Sequence, residues 1–96
     1  MTTARVALGM VELHLPDVGS LKGKRHVLKG LKEKVRARYE VAVAEVDHQD
    51  LWQRAALGVA VVSGDRRQVD EQLQSVRQLV QSTHGAELLD WEEQQA

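Results

Sequence analysis

Apolar positions follow two rhythms along this chain, alternation every second residue and recurrence every third or fourth, and the switches between them mark six elements. Ala4 to Leu15 predicts a strand. Val6 to Val11 is apolar on both faces, as in a central strand, and from there Val11, Leu13 and Leu15 alternate with Glu12 and His14. Pro16 to Gly19 ends it, and Ser20 stands as N-cap of a helix reaching about Arg38, with Leu21, Leu28, Leu31 and Val35 as its apolar stripe and Val27 at the margin. Tyr39 to Val46 then alternates Val41, Val43 and Glu45 against Ala42, Ala44 and Val46, which suits an edge strand. Asp47 to Arg54 is a polar connection. Ala55 to Val62 is continuously apolar and β-branched, a second central strand. Asp65 caps a second helix with the stripe Val69, Leu73, Val76 and Val80, which is expected to stop at Gly85 as a left-handed C-cap after His84. Ala86 to Trp91 is the last strand, and Glu92 to Ala96 is expected to be a frayed tail.

The order βαββαβ predicts an α+β, ferredoxin-like fold: a four-stranded antiparallel sheet with two helices on one face, forming one domain over residues 1–96. The uncovered face should be polar in a monomer. The central strands nonetheless offer apolar residues on both sides, read as Ala7, Gly9, Gly58 and Ala60 on one and Val6, Leu8, Val59 and Val61 on the other. A homodimer, by stacking of sheets or pairing of the Tyr39 to Val46 edge, is therefore expected.

Charge changes the picture locally. The net charge is −1, but eight of the thirteen basic residues lie between Lys22 and Arg38, against the single acid Glu33. On a helix, Lys22, Arg25, Lys29, Lys32 and Arg36 fall within about 80° of one another, beside the apolar stripe. Like charges at these spacings cost roughly 0.2–0.5 kcal/mol per pair. Two readings stand side by side, a solvated face that aids solubility and a surface for an anionic partner such as structured RNA or the ribosome. Gly23, Gly30 and Ala37 form a small-residue line that would permit close approach of another backbone or would simply face solvent. Lys24 falls in the apolar sector, where it must snorkel outward or meet an acid.

The remaining chemistry is sparse. The chain has no Cys, hence no disulfide framework, thiolate metal site or thiol nucleophile. MTTARVALGM lacks the apolar core of a signal peptide or membrane span, so a cytoplasmic protein without a membrane partner is expected. Glu45, Asp47, His48 and Asp50 form an acidic loop that could serve a hard divalent ion or a general acid–base pair. Its spacing matches no calcium or zinc pattern, and the plainer reading has Asp47 or Asp50 capping one helical turn over 51–54, paired with Arg54. His14, His26 and His84 stand apart. No nucleophile, phosphate loop or dinucleotide fingerprint occurs, so neither catalysis nor a cofactor or metal is expected. The central strands lack aromatics, which excludes base stacking on the sheet; Tyr39, Trp52 and Trp91 read as core or rim residues.

The segments SLKGKRHVLKGLKEKVR, VAVAEVD and QDLWQRAALGVAVVS, with their spacing, resemble the YlxP-like family, small bacterial proteins classed as a domain of unknown function. The resemblance covers most of the chain; the last third matches in pattern alone. It implies a ferredoxin-like fold and no established activity, and genes of this family commonly lie among translation and ribosome-maturation genes, an association that points toward RNA. Gly23 replaces the more usual acid of SLKxKR, leaving this stripe more positive. Three functions follow from these readings: an RNA- or ribosome-associated binding protein, a homo-oligomeric interaction module, and a small metal-dependent enzyme built on Glu45 to Asp50.

Overall fold

The computed structural model describes residues 3–95. Strands β1 (Arg5–His14), β2 (Ala42–Asp47), β3 (Arg54–Ser63) and β4 (Glu87–Gln95) form one antiparallel sheet in the order β2-β3-β1-β4. Helices α1 (Leu21–Arg38) and α2 (Arg66–Gln81) complete the βαββαβ, ferredoxin-like arrangement. The two strands that are apolar on both faces take the two central places. β1 and β3 pair over their full length, from Arg5 opposite Ser63 to His14 opposite Arg54.

That register decides which residues share a face. Ala7 stands opposite Val61 and Gly9 opposite Val59, beneath the helices, while Leu8 opposes Ala60 and Met10 opposes Gly58 on the open side. The grouping of Ala7 and Gly9 with Gly58 and Ala60 is thus corrected. Each small residue meets a larger one across the ladder, which keeps the core layer filled. At Gly9 the missing side chain makes room for Trp91, whose Cζ2 would stand 3.0 Å from an added Cβ.

Both helices contribute their predicted stripes to the core, Leu28, Leu31 and Val35 from α1 and Val69, Leu73, Val76 and Val80 from α2, while Leu21 at the start of α1 is only half-buried and stays outside it. α2 packs over β1, β3 and β4, whereas α1 contacts β2. Ser20 caps α1 by accepting the Gly23 N–H at 3.0 Å, and Asp65 caps α2 through the Arg67 N–H at 2.9 Å.

Two ends differ from expectation. α2 stops at Gln81, before Gly85, because the Ser82 and Thr83 hydroxyls donate to the Leu79 carbonyl and compete with helix continuation. Gly85 does take a left-handed φ of +87°, but in the turn leading into β4. β4 also continues to Gln95, so Glu92 to Gln95 is strand and not frayed tail: pairing with β1 extends to Gln95 opposite Ala7, and the ladder needs backbone groups, not apolar side chains. Ala96 lies outside the described residues.

Candidate functional site

The basic stripe lies along one flank of α1, and its last member, Arg36, reaches β2. Lys22, Arg25, Lys29 and Arg36 are exposed and Lys32 is half-buried. Among the described residues, none of these five has a carboxylate within 4.0 Å, and Glu33 does not reach them. α2 provides the contrast, since there Arg66 and Arg67 pair with Asp70 and Glu71 one turn on. Arg36 alone of the five is tied to the sheet. Its Nη2 donates to the Val43 carbonyl at 2.7 Å, covering one acceptor of β2, an edge strand. The small-residue line meets no second backbone. An added Cβ at Gly30 would touch nothing within 4 Å, and at Gly23 it would meet only the Ser20 hydroxyl and Val18.

The acidic loop is drawn into a different construction. Lys24 is 1 % exposed. Its Nζ lies 2.8 Å from Glu45 Oε2 and donates to the carbonyls of His48 and Leu51, the latter at 2.7 Å. The ammonium thus meets a carboxylate and two carbonyls at once, and the buried Glu45 Oε2 has no other donor among the described residues. A register shift between Glu45 and Asp47 lets the chain turn at this point, and His48 closes the turn with a φ of 62°. The loop is thereby strapped to the first turn of α1.

The other members of the loop point elsewhere. His48 Nε2 stands 3.0 Å from Glu12 Oε1, while Arg54 Nη2 donates to Glu12 Oε2 at 2.9 Å. Arg54 thus pairs with Glu12 and not with Asp47 or Asp50, and residues 51–54 form no helical turn, which corrects the capping expectation; β3 already begins at Arg54 and holds its side chain beside β1. Asp47 accepts the His48 N–H at 2.7 Å, and Asp50 is exposed. Among the described residues no three His, Cys, Asp or Glu side chains gather as metal ligands. The guanidinium of Arg54 holds the Glu12 carboxyl below its ordinary pKa; burial opposes it, and His48 adds to the lowering.

Glu12 escaped the sequence reading, and Arg54 was assigned the wrong acid, because strand pairing sets which residues stand side by side. Lys24 did leave a signal, a cation in an apolar sector. The aromatics divide sharply. Trp91 is half-buried, donates its indole N–H to Glu93 at 2.8 Å and carries the Arg77 guanidinium 5.9 Å from its ring centroid, whereas Trp52 is 54 % exposed.

The sheet's open face is apolar along one part of three strands, charged beyond it at Glu12 and Arg54, and acidic on the fourth strand. Val6, Leu8, Met10, Ala42, Ala44, Val46, Gly58, Ala60 and Val62 cover β1 to β3, with Val62 62 % exposed, and Asp90 and Glu92 of β4 flank them. No helix among the described residues is long and apolar enough to cross a membrane.

Comparison with known proteins places this architecture among relatives without assigned activity. Residues 6–93 match a family model described as "Protein of unknown function (DUF503)". Over 66 residues the chain is 42% identical to "Uncharacterized protein YlxP" of Bacillus subtilis (strain 168), a match covering 69% of this chain and 72% of that relative.

Proposed function

This chain belongs to the family of proteins of unknown function designated DUF503, and on that footing we propose that it binds structured RNA, free or within the ribosome, through the basic stripe of α1. The observation that carries the reading is the absence of acidic partners along the stripe. Five cations on one flank, none paired among the described residues, lower helix stability through mutual repulsion unless an anion meets them. A purely solvating surface interleaves both signs, as α2 does. Lys and Arg side chains so arrayed suit phosphates, giving salt-dependent affinity with little reading of sequence.

Salt titration of RNA binding tests this. Affinity should fall with salt on a log–log slope of roughly −0.7 to −0.9 per phosphate engaged. Replacing Arg25, Lys29 and Lys32 together with Gln should flatten the slope by about two to three units and weaken all RNA sequences alike. Lys34→Gln with Arg38→Gln is the control off the stripe. If the control weakens binding equally, the attraction is diffuse; if the wild-type protein shows no salt-sensitive binding, the proposal fails.

The open sheet face favours a second reading, a homodimer. Three strands about 4.8 Å apart, apolar over about 17 Å each, present a patch of roughly 250 Å² in projection, less than the roughly 800 Å² per partner of a standard interface, so stacking would have to be joined by pairing of the β2 edge. Sedimentation should show dimerisation at micromolar concentration, and a strictly monomeric protein across the accessible range removes this reading.

A further inference from the structure

The open face of the sheet carries a shape and a charge that the RNA reading does not use. Side chains alternate along a strand, so the register that sends Ala7, Gly9 and Val11 to the core turns Leu8 and Met10 outward, beside Ala60 and Gly58 of β3 and Ala42 and Ala44 of β2. The four small residues leave a trough. Part of it is an apolar hollow of about 230 Å³ between Leu8 of β1 and Val46 of β2, and a second hollow of about 430 Å³ continues it past Val6, Ala42 and Val62.

Acids border this trough on two sides. On β4, Glu92 stands opposite Met10 and Asp90 opposite Glu12, and both line one recess with Met10 and Ala56. Glu40 lines the second hollow at the start of β2. All three acids are exposed, and among the described residues none has a cation within 4.0 Å. Arg54, whose side chain shares this face, is already held by Glu12 at 2.9 Å.

Dimensions select the occupant. The apolar stretch runs about 17 Å along three strands spaced about 4.8 Å apart. An extended segment would cover one strand's width of it, whereas a helix, ~10–12 Å across with its side chains, spans it, and about 11 residues at ~1.5 Å each match its length. Charge selects the sequence of that helix: apolar side chains at i, i+3, i+4 and i+7 toward the trough, with Lys or Arg along the margin that passes Asp90 and Glu92. A second copy stacked here would bring its own acids to the face, and its Arg54 would already be engaged. RNA is repelled from this side by the same carboxylates.

We propose that the open sheet face docks a cationic amphipathic helix of another protein, with its apolar stripe in the trough and its cations on Asp90 and Glu92. This does not rest on the RNA reading, and the homodimer reading competes with it for the same face.

The test is fluorescence anisotropy of the full chain with a labelled, lactam-bridged helix of about 14 residues that carries a Leu stripe bordered by Lys, against the same helix with Glu for every Lys. The Lys helix should bind and the Glu helix should not. Asp90→Asn with Glu92→Gln should weaken the Lys helix about 2- to 30-fold, the fold-change matching two exposed ion pairs of ~0.2–1 kcal/mol each. Glu33→Gln with Glu71→Gln, the same change in net charge on the helices behind the sheet, should leave its affinity unchanged. Ala44→Lys, a cation set into the trough, should weaken it at least about tenfold, since like charges across an interface are costly. Asp90→Lys with Glu92→Lys, on an edge strand that tolerates Lys, should reverse the preference between the two helices, a gain that loss of folding cannot mimic. A Lys helix that fails to bind, equal binding of both helices, an equal loss in the control pair, or a preference left unreversed overturns the proposal. So does a wild-type protein that sediments as a dimer, loses that dimer with Ala44→Lys and keeps it in the presence of the Lys helix, because the occupant is then a second copy.

Discussion

Eight cations share α1, yet one of them lives in a different medium from the rest. Lys24 is sunk beneath the loop after β2, where an acid and two carbonyls surround its ammonium; Lys22 and Arg25, two residues before it and one after, stand in water with no acid beside them. The difference teaches that a basic run is not one feature. A charge withdrawn from water must be compensated and becomes structural, whereas a charge left in water costs the helix little and remains free to act on something else.

The contrast is broken most forcefully at Lys24. Lys24→Met fills the space but leaves Glu45 facing the core without a counter-ion and two carbonyls without their donor, and should cost about 3–5 kcal/mol. Adding Glu45→Leu should restore a large part of that loss, since the orphaned charge is then gone. Hydrogen exchange at Leu51 should quicken in both variants, because the strap to the loop is missing. Unchanged unfolding in urea would show that Lys24 is not compensated as the distances imply. Core positions set the scale: Leu28→Ala and Val76→Ala, 2 % and 0 % exposed, should each cost about 2–4 kcal/mol.

A smaller effect is expected at the edge of the loop. Glu12 has a depressed pKa in the folded state, so its contribution is fully present above the unfolded value of about 4.3 and is lost as pH falls through the lower folded value. Acid unfolding of Glu12→Gln should therefore show a shallower fall in stability below about pH 4.3, with a difference at neutral pH of about 0.2–1 kcal/mol, as suits a partly exposed pair. An unaltered slope would mean that Arg54 does not engage Glu12 in solution.

The smallest change belongs to the stripe. The Gln triple substitution at Arg25, Lys29 and Lys32 should leave stability within about 0.5 kcal/mol of wild type or raise it, because repulsion is relieved and no bond is lost. A marked destabilisation would give the stripe a structural role and erase its difference from Lys24.

Sequence alone sufficed for the number, order and type of elements, for both helical core stripes and for the caps Ser20 and Asp65, because periodicity and capping are local properties carried within a few residues. It also displayed the stripe and marked Lys24 as a cation in apolar company. What only the tertiary structure decided was everything that strand pairing sets. The register that places Gly9 and Ala7 under the helices, the meeting of Lys24 with Glu45, and the bond from Arg54 to Glu12 join residues up to 54 positions apart. A shift of one residue between β1 and β3 would have exchanged the two faces without altering any local pattern, so no local pattern could announce them. Trp52 belongs to the same class: whether it was buried or held out in water depended on where Leu51 and Gln53 found their hydrogen bonds, and those partners lie on α1 and in the segment before it.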